Sequence, residues 1–235
     1  MLVFGARNLG RTVAVHMAGL GWNVAAVART LETIERLRED LPVALGVTAD
    51  AADEAGVEEA FDEASRHFGS VDLVVVAISP NFRGRQIGGG ELADADGEAL
   101  VPYTGELLPA LFTVLRVSAR RLREQRRGTF VQITGGSSRR GMPGRGPWAA
   151  AAFASRALVQ SAAGELRGHG VHVALLIVDA TIESEKSIDR LAGRPVEESA
   201  SQEDVARAVA YLANQSPRAW THELQLTPSG DRWVP

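Results

Sequence analysis

Cysteine is absent from the 235 residues, which excludes disulfides, thiolate metal sites and cysteine nucleophiles together. That absence fits a reducing compartment, and a cytoplasmic location is the expectation. Lysine is almost absent too: Lys186 is the only one, and arginine in its place elsewhere reflects a GC-rich coding bias, not chemistry. Tyrosine occurs only at Tyr103 and Tyr211. No apolar run approaches the roughly 20 residues that span a bilayer, and no basic region followed by an apolar signal core opens the chain, so neither membrane association nor export is expected. His16, His67, His169, His172 and His222 fall at no metal-binding spacing and no carboxylate cluster accompanies them, so no metal is expected. A net charge of −4 argues against nucleic-acid partners. The local run Arg120, Arg121, Arg123, Arg126 and Arg127 reads as a solvated helix end with cations near its C-terminus.

The first thirty residues organise what is present. Met1 to Phe4 is short and apolar, Gly5-Ala-Arg-Asn-Leu-Gly10 is a turn, Arg11 to Leu20 has helical spacing, and Trp22 to Ala28 is apolar again and ends at Arg29. Such a strand, glycine turn, helix and strand bind anions, because the glycines let the backbone approach a pyrophosphate and the helix start presents unpaired N–H groups. A full dinucleotide fingerprint has three glycines; this turn offers Gly5 and Gly10.

Alternation then continues. Helical spacing covers Leu31 to Asp40, Asp53 to Phe68, Leu107 to Gln125, Trp148 to Arg167 and Gln202 to Asn214. Strand-like apolar runs cover Val43 to Thr48, Val71 to Ile78, Thr129 to Thr134, Val171 to Val178 and Glu223 to Thr227. Ser79 to Pro102, with Pro80, Gly84, Gly88, Gly89, Gly90 and Gly97, is the least regular stretch, and Glu183 to Ser201 is polar and reads as a substrate lid. With no linker or repeat, the expectation for residues 1–235 is one α/β domain: a three-layer, doubly wound, Rossmann-like fold with a seven-stranded, mostly parallel sheet and helices on both faces.

With these elements in place, the residues resemble the short-chain dehydrogenase/reductase family over nearly the whole chain. Val3-Phe-Gly-Ala-Arg-Asn-Leu-Gly10-Arg is similar to the family's TGxxxGxG turn, either one residue short or with Phe4 where the first glycine belongs. Ala28-Arg29 looks like the NADP-type strand ending, Thr48-Ala-Asp50 resembles the segment whose Asp contacts adenine, and Phe68-Gly-Ser-Val-Asp-Leu-Val resembles the lead into the fourth strand. Ala154 to Leu166, Gly170-Val-His-Val-Ala, Ile177-Val-Asp-Ala and Ala219-Trp-Thr-His-Glu-Leu-Gln-Leu are similar to one divergent subgroup. The resemblance implies NADP(H) as cofactor, with Gly5, Arg7, Asn8, Leu9, Gly10, Arg29, Asp50, Ala77 and Ile78 as the contact positions. It also implies a homodimer or homotetramer, paired through the alanine-rich helix that begins at Trp148.

The family's chemistry is hydride transfer between a nicotinamide and a carbonyl or alcohol, assisted by a tyrosine acid, a lysine that lowers its pKa, a serine and an asparagine. Carried over by position, those four fall on Trp148, Ala152, Gly135 and about Leu107. The asparagine-rich close of the fourth strand is replaced by Val76-Ala-Ile-Ser79. Composition makes the same point without alignment: neither tyrosine has a lysine near it, so no Tyr-x-x-x-Lys pair exists, nor the longer spacing of the enoyl-reductase branch. Substitutes are Tyr103 as an acid and Ser137 or Ser138 as substrate-orienting hydroxyls. Arg139, Arg140 and Arg145 could meet an acidic substrate, and Asp179 reads as a cap for backbone N–H groups. Three functions stay open: an NADP(H)-dependent oxidoreductase acting on a small-molecule substrate, an inactive binding or regulatory pseudoenzyme, and an enzyme using the cleft for non-redox chemistry.

Overall fold

The structure is a computed structural model that describes residues 1–79, 86, 88–185 and 187–231. Pro80, Gly84 and Lys186, singled out above, lie outside the described residues. The chain runs β1 (Leu2–Phe4), α1 (Asn8–Gly19), β2 (Ala25–Ala28), α2 (Leu31–Asp40), β3 (Leu45–Thr48), α3 (Glu54–Phe68) and β4 (Leu73–Val76). It continues through α4 (Leu108–Gln125), β5 (Gly128–Gly135), α5 (Gly146–Leu166), β6 (Val171–Val178), β7 (Thr181–Ile182), α6 (Ile188–Leu191), β8 (Ser199–Ala200), α7 (Gln202–Ala213) and β9 (Glu223–Leu226).

Seven strands form one sheet in the order β3-β2-β1-β4-β5-β6-β9, every adjacent pair parallel. The continuous apolar runs fit this, since a parallel sheet is covered on both faces. Alternate side chains divide between two cores. Phe4, Val74, Val76, Phe130 and Leu175 pack with α3, α4 and α5, while Val3, Val75, Val131, Ala174 and Leu176 pack with α1, α2 and α7. The strand order reverses between β1 and β4, and in such sheets the crevice beyond the strand ends at the reversal is where ligands bind.

Local chemistry sets the helix starts. Thr30 Oγ1 accepts the Thr33 N–H ahead of α2, Asp53 accepts from Ala55 and Gly56 ahead of α3, and Ser201 accepts from Asp204 ahead of α7. The arginine run is not a merely solvated helix end. Arg116 meets Glu54 at 2.5 Å, Arg120 pairs with Glu54 and Glu58, and Arg121 meets Glu58 and Asp62, so α4 is laced to the acidic face of α3; beyond both helices Arg127 meets Asp72 at 3.0 Å.

One expectation needs correction: the first helix starts at Asn8, not Arg11, because the glycine turn is short and runs straight into it. A π-helical turn, Pro102–Leu107, fills the gap between the irregular stretch and α4. Residues 183–201, read as a polar lid, hold α6 and a 3-10 turn, and they return so that β8 pairs with β7 in a separate two-stranded ribbon. At the far edge, Glu223 of β9 clamps Arg156 of α5 with bonds of 2.7 and 2.8 Å.

Candidate functional site

Beyond the C-terminal ends of β1, β4 and β5 lies one cavity of about 730 Å³, the size of small-molecule and cofactor sites. Its floor is the short turn after β1. Gly5 holds φ +90°, and a Cβ there would stand 2.7 Å from the Ala77 carbonyl oxygen. At Gly10 a Cβ would stand 2.1 Å from the Gly5 carbonyl oxygen. Both glycines are therefore demanded by backbone approach. Phe4 is an ordinary buried strand residue, paired with Val27 and Val76, so the turn is one residue short and Gly5 is its first glycine. Asn8 takes φ +39°, a left-handed conformation that asparagine tolerates better than most residues.

The start of α1 suits an anion. It has no side-chain cap and no acid in its first turn, which leaves its N-terminal dipole uncompensated. Arg7 and Arg29 are both exposed on the cavity wall, and neither has an ion-pair partner among the described residues. Of the nine expected cofactor contacts, Gly5, Arg7, Asn8, Leu9, Arg29, Asp50, Ala77 and Ile78 line this cavity. Gly10 does not; it lies behind the turn against Gly5 and supports it. Asp50 is fixed by accepting the Ala52 N–H at 2.9 Å.

The four residues expected at the positions of the family's catalytic groups, Leu107, Gly135, Trp148 and Ala152, line the same cavity. Leu107 closes the π-helical turn, Gly135 ends β5, and Trp148 with Ala152 occupy successive turns at the start of α5. π-Helical turns recur at functional sites, so its place here is informative. A Cβ built on Gly135 would keep about 4.0 Å from the Trp148 ring, ordinary contact, so the site has room for a side chain it lacks.

The substitute candidates do not meet there. Tyr103 is 1 % exposed and not on the cavity wall; its hydroxyl accepts the Gly88 N–H at 2.7 Å. Burial pushes its phenol above the ordinary value, against the pull of the Gly88 bond and the Arg145 charge. Ser137 is buried off the cavity, and Ser138 donates to the Gly135 carbonyl at 2.9 Å. Asp179 is no backbone cap: Arg140 meets it at 3.3 Å and Gln225 at 3.4 Å. Of the three arginines in that loop, Arg145 alone reaches the cavity.

Residues 88–90 lie against the start of α5, where Arg145 and Trp148 line the cavity. Gly90 forms a bridge with Arg145 and donates to the Gly144 carbonyl at 3.2 Å, while the Trp148 N–H donates to the Gly88 carbonyl at 3.4 Å. Sequence reading missed Glu106, Ser155, Ser184, Arg190 and Gln202, which also line the cavity. Their placement depends on the π-helical turn and on the return of residues 183–201, neither of which leaves a periodic signal.

An all-parallel doubly wound sheet with a glycine turn at its reversal defines a Rossmann-type α/β protein. The family model described as enoyl-(acyl carrier protein) reductase matches residues 4–224, and the chain belongs to the short-chain dehydrogenase/reductase family, a family of oxidoreductases. It is 24% identical over 259 residues to the L-2,3-butanediol dehydrogenase of Corynebacterium glutamicum, covering 98% of this chain and 96% of that one. It is 25% identical to the 3-oxoacyl-(acyl-carrier-protein) reductase FabG of Staphylococcus aureus, covering 92% and 91%. Among solved structures, a metagenomic short-chain oxidoreductase in complex with NADP superposes with a TM-score of 0.76 at 24% identity, covering 98% and 96%. No described helix is long and apolar enough to cross a membrane.

Proposed function

We propose that the protein binds NADP(H) in this cavity as a divergent short-chain dehydrogenase/reductase. The pyrophosphate lies on Gly5–Gly10 and the start of α1, the 2′-phosphate meets Arg29, the adenine lies by Asp50, and the nicotinamide end faces Ala77, Ile78 and Gly135. The observation that carries this reading is the convergence of an uncapped helix start with two arginines, Arg7 and Arg29, that have no ion pair among the described residues. Bound NADPH would supply a hydride; this chain's residues hold it and screen its reactive end with Trp148, Leu107 and Ala152.

The fit to the family's proton transfer is poor. No Tyr-x-x-x-Lys pair exists in the sequence, and the Tyr103 hydroxyl is already bonded to Gly88 away from the cavity. That observation favours a second reading, a nucleotide-binding regulatory protein without turnover. General acid catalysis contributes roughly 10²–10⁴ in rate, and its usual agent is missing here. Residues 183–201 serve as the lid in either reading, since Ser184 and Arg190 belong to the cavity wall. Phe112 of α4 and Phe153 of α5, both exposed, support pairing of these helices with a second copy.

Titration with NADPH, followed by tryptophan fluorescence, tests the first claim, because Trp148 stands in the wall. Saturable binding is expected, and no binding at millimolar nucleotide overturns it. Arg29→Ala should weaken NADPH far more than NADH; equal weakening would refute the role given to Arg29. Turnover of NADPH with a carbonyl panel separates an enzyme from a binding protein.

A further inference from the structure

The side-chain amide of Gln202 joins two parts of the cavity. Its Oε1 accepts the Thr12 hydroxyl of α1 at 2.8 Å, and its Nε2 donates to the Glu183 carbonyl at 2.7 Å. Thr12 stands one turn beyond Asn8, where α1 begins, with its hydroxyl 3.4 Å from the Asn8 carbonyl oxygen. The segment that starts at Glu183 is therefore hung beside the first turn of α1. Electrostatics agrees: Asp40, bonded to Arg11 at 2.6 Å, holds that guanidinium above its ordinary range, and the charge of Glu185 is among the smaller pulls in the same direction.

From Glu183 onward the return is pinned at each step. The Glu183 N–H donates to the Ala200 carbonyl at 2.9 Å. The buried hydroxyl of Ser187 donates to the Ile182 carbonyl at 2.7 Å and accepts the Ser184 N–H at 2.8 Å. The Leu191 N–H then bonds the Ser187 carbonyl at 3.0 Å, which closes one helical turn around Arg190. Arg190 is thus within a single turn of a serine locked to Ile182 and Ser184, and Ile182, Ser184, Arg190 and Gln202 all belong to the cavity wall. Its guanidinium is exposed and has no ion-pair partner among the described residues, whereas Arg194 in the same return is paired with Glu198 at 4.0 Å.

We propose that Arg190 is a ligand of the dinucleotide pyrophosphate, carried to it by the return that Gln202 hangs beside the start of α1. The inference rests on the nucleotide lying on the turn after β1, as proposed above. A guanidinium presents a planar fork of N–H donors that two phosphate oxygens fill together, and the uncapped start of α1 supplies backbone N–H groups to the same phosphates. Arg29 is given to the 2′-phosphate, so the two arginines read different parts of the ligand.

That difference is the test. The full chain is titrated calorimetrically with NADPH, NADH and adenosine 2′-monophosphate, and amide hydrogen exchange is followed over residues 187–201. Arg190→Gln should weaken NADPH and NADH by the same factor, about tenfold, and change adenosine 2′-monophosphate by less than about threefold. NADPH should slow exchange in residues 187–201 of the unaltered chain and do so much less in the variant. Gln202→Leu removes both bonds that hang the return, so it should weaken NADPH too, and Arg190→Gln added to it should cost less than Arg190→Gln alone. Arg190 is exposed, so the fold should persist, which circular dichroism checks. Unchanged NADPH affinity in Arg190→Gln, a loss confined to the two 2′-phosphorylated ligands, or strictly additive losses in the double variant overturns the inference. Failure of the nucleotide reading has a different signature, no NADPH binding to the unaltered chain, and it removes this inference with it.

Discussion

The rings of Tyr103 and Trp148 lie 5.8 Å apart, centroid to centroid, tilted by 41°, with Trp148 on the cavity wall and Tyr103 behind it. The residue expected at the family's tyrosine position is thus an indole, with the phenol packed behind it. The phenol anchors the backbone at Gly88, whose N–H it accepts. Tyr103→Phe leaves that N–H without its acceptor in a buried place. A loss of about 1–3 kcal/mol in urea unfolding is expected, with NADPH affinity little changed. A large loss of turnover with unchanged stability would instead make Tyr103 a chemical participant.

Placing the family's groups on the expected positions should raise hydride transfer. The combined substitution Gly135→Ser, Trp148→Tyr and Ala152→Lys recreates the spacing of serine, tyrosine and lysine on residues that already line one cavity. NADPH consumption with a small diketone should rise by about 10²–10⁴ over the unaltered chain, the range of general acid catalysis. Trp148→Tyr alone should give much less, because nothing would lower the phenol's pKa.

Neither glycine of the turn has space for a Cβ. Gly10→Ala forces a methyl carbon onto the Gly5 carbonyl oxygen, and the turn must open to accommodate it. A destabilisation of at least about 2 kcal/mol by denaturant titration is expected, together with loss of NADPH binding. A stable variant with full affinity would show that the turn is softer than its packing indicates.

Acid should weaken the protein through His172. This residue is 1 % exposed in β6, its Nε2 bonds the Thr221 carbonyl at 2.9 Å, and its ring stacks on Trp220 at 5.2 Å. Burial lowers its pKa below the ordinary 6.5, the neighbouring His222 adding to the effect and the Thr221 bond opposing it. The unfolded chain then binds the proton more readily than the folded one. The stability that neutral His172 contributes is complete above the ordinary value and lost as pH falls through the folded one. Urea melts at about pH 7.5 and pH 5 should show the decline, and His172→Gln should flatten it.

Self-association should depend on the exposed aromatics. Phe112 is 47% and Phe153 43% exposed on adjacent helices. Phe153→Asp should shift the chain to a monomer in sedimentation velocity. A monomer before substitution would remove the basis for the proposed pairing.

The sheet was legible because seven apolar runs alternate with six amphipathic ones, and a parallel sheet buried on both faces requires that pattern. Ends were less so. Trp22 reads as strand, yet β2 starts at Ala25, because apolar residues that pack below the sheet look like strand residues in sequence. The π-helical turn at Pro102–Leu107 has no signature, since it arises where the chain enters α4 under tertiary packing. Eight of the nine expected cofactor positions line the cavity because each sits at a strand end or on the glycine turn. Arg190 was not, because a two-residue ribbon between β7 and β8 brings it back to the cavity, and only the folded chain makes that pairing.

The clamp between Arg156 and Glu223 joins residues 67 positions apart, and it fixes the helix that carries Trp148 and Ala152. A wall of the cavity laid down near the middle of the chain is therefore tied down by its last strand, and a chain cut before Glu223 would keep the glycine turn and lose that tie.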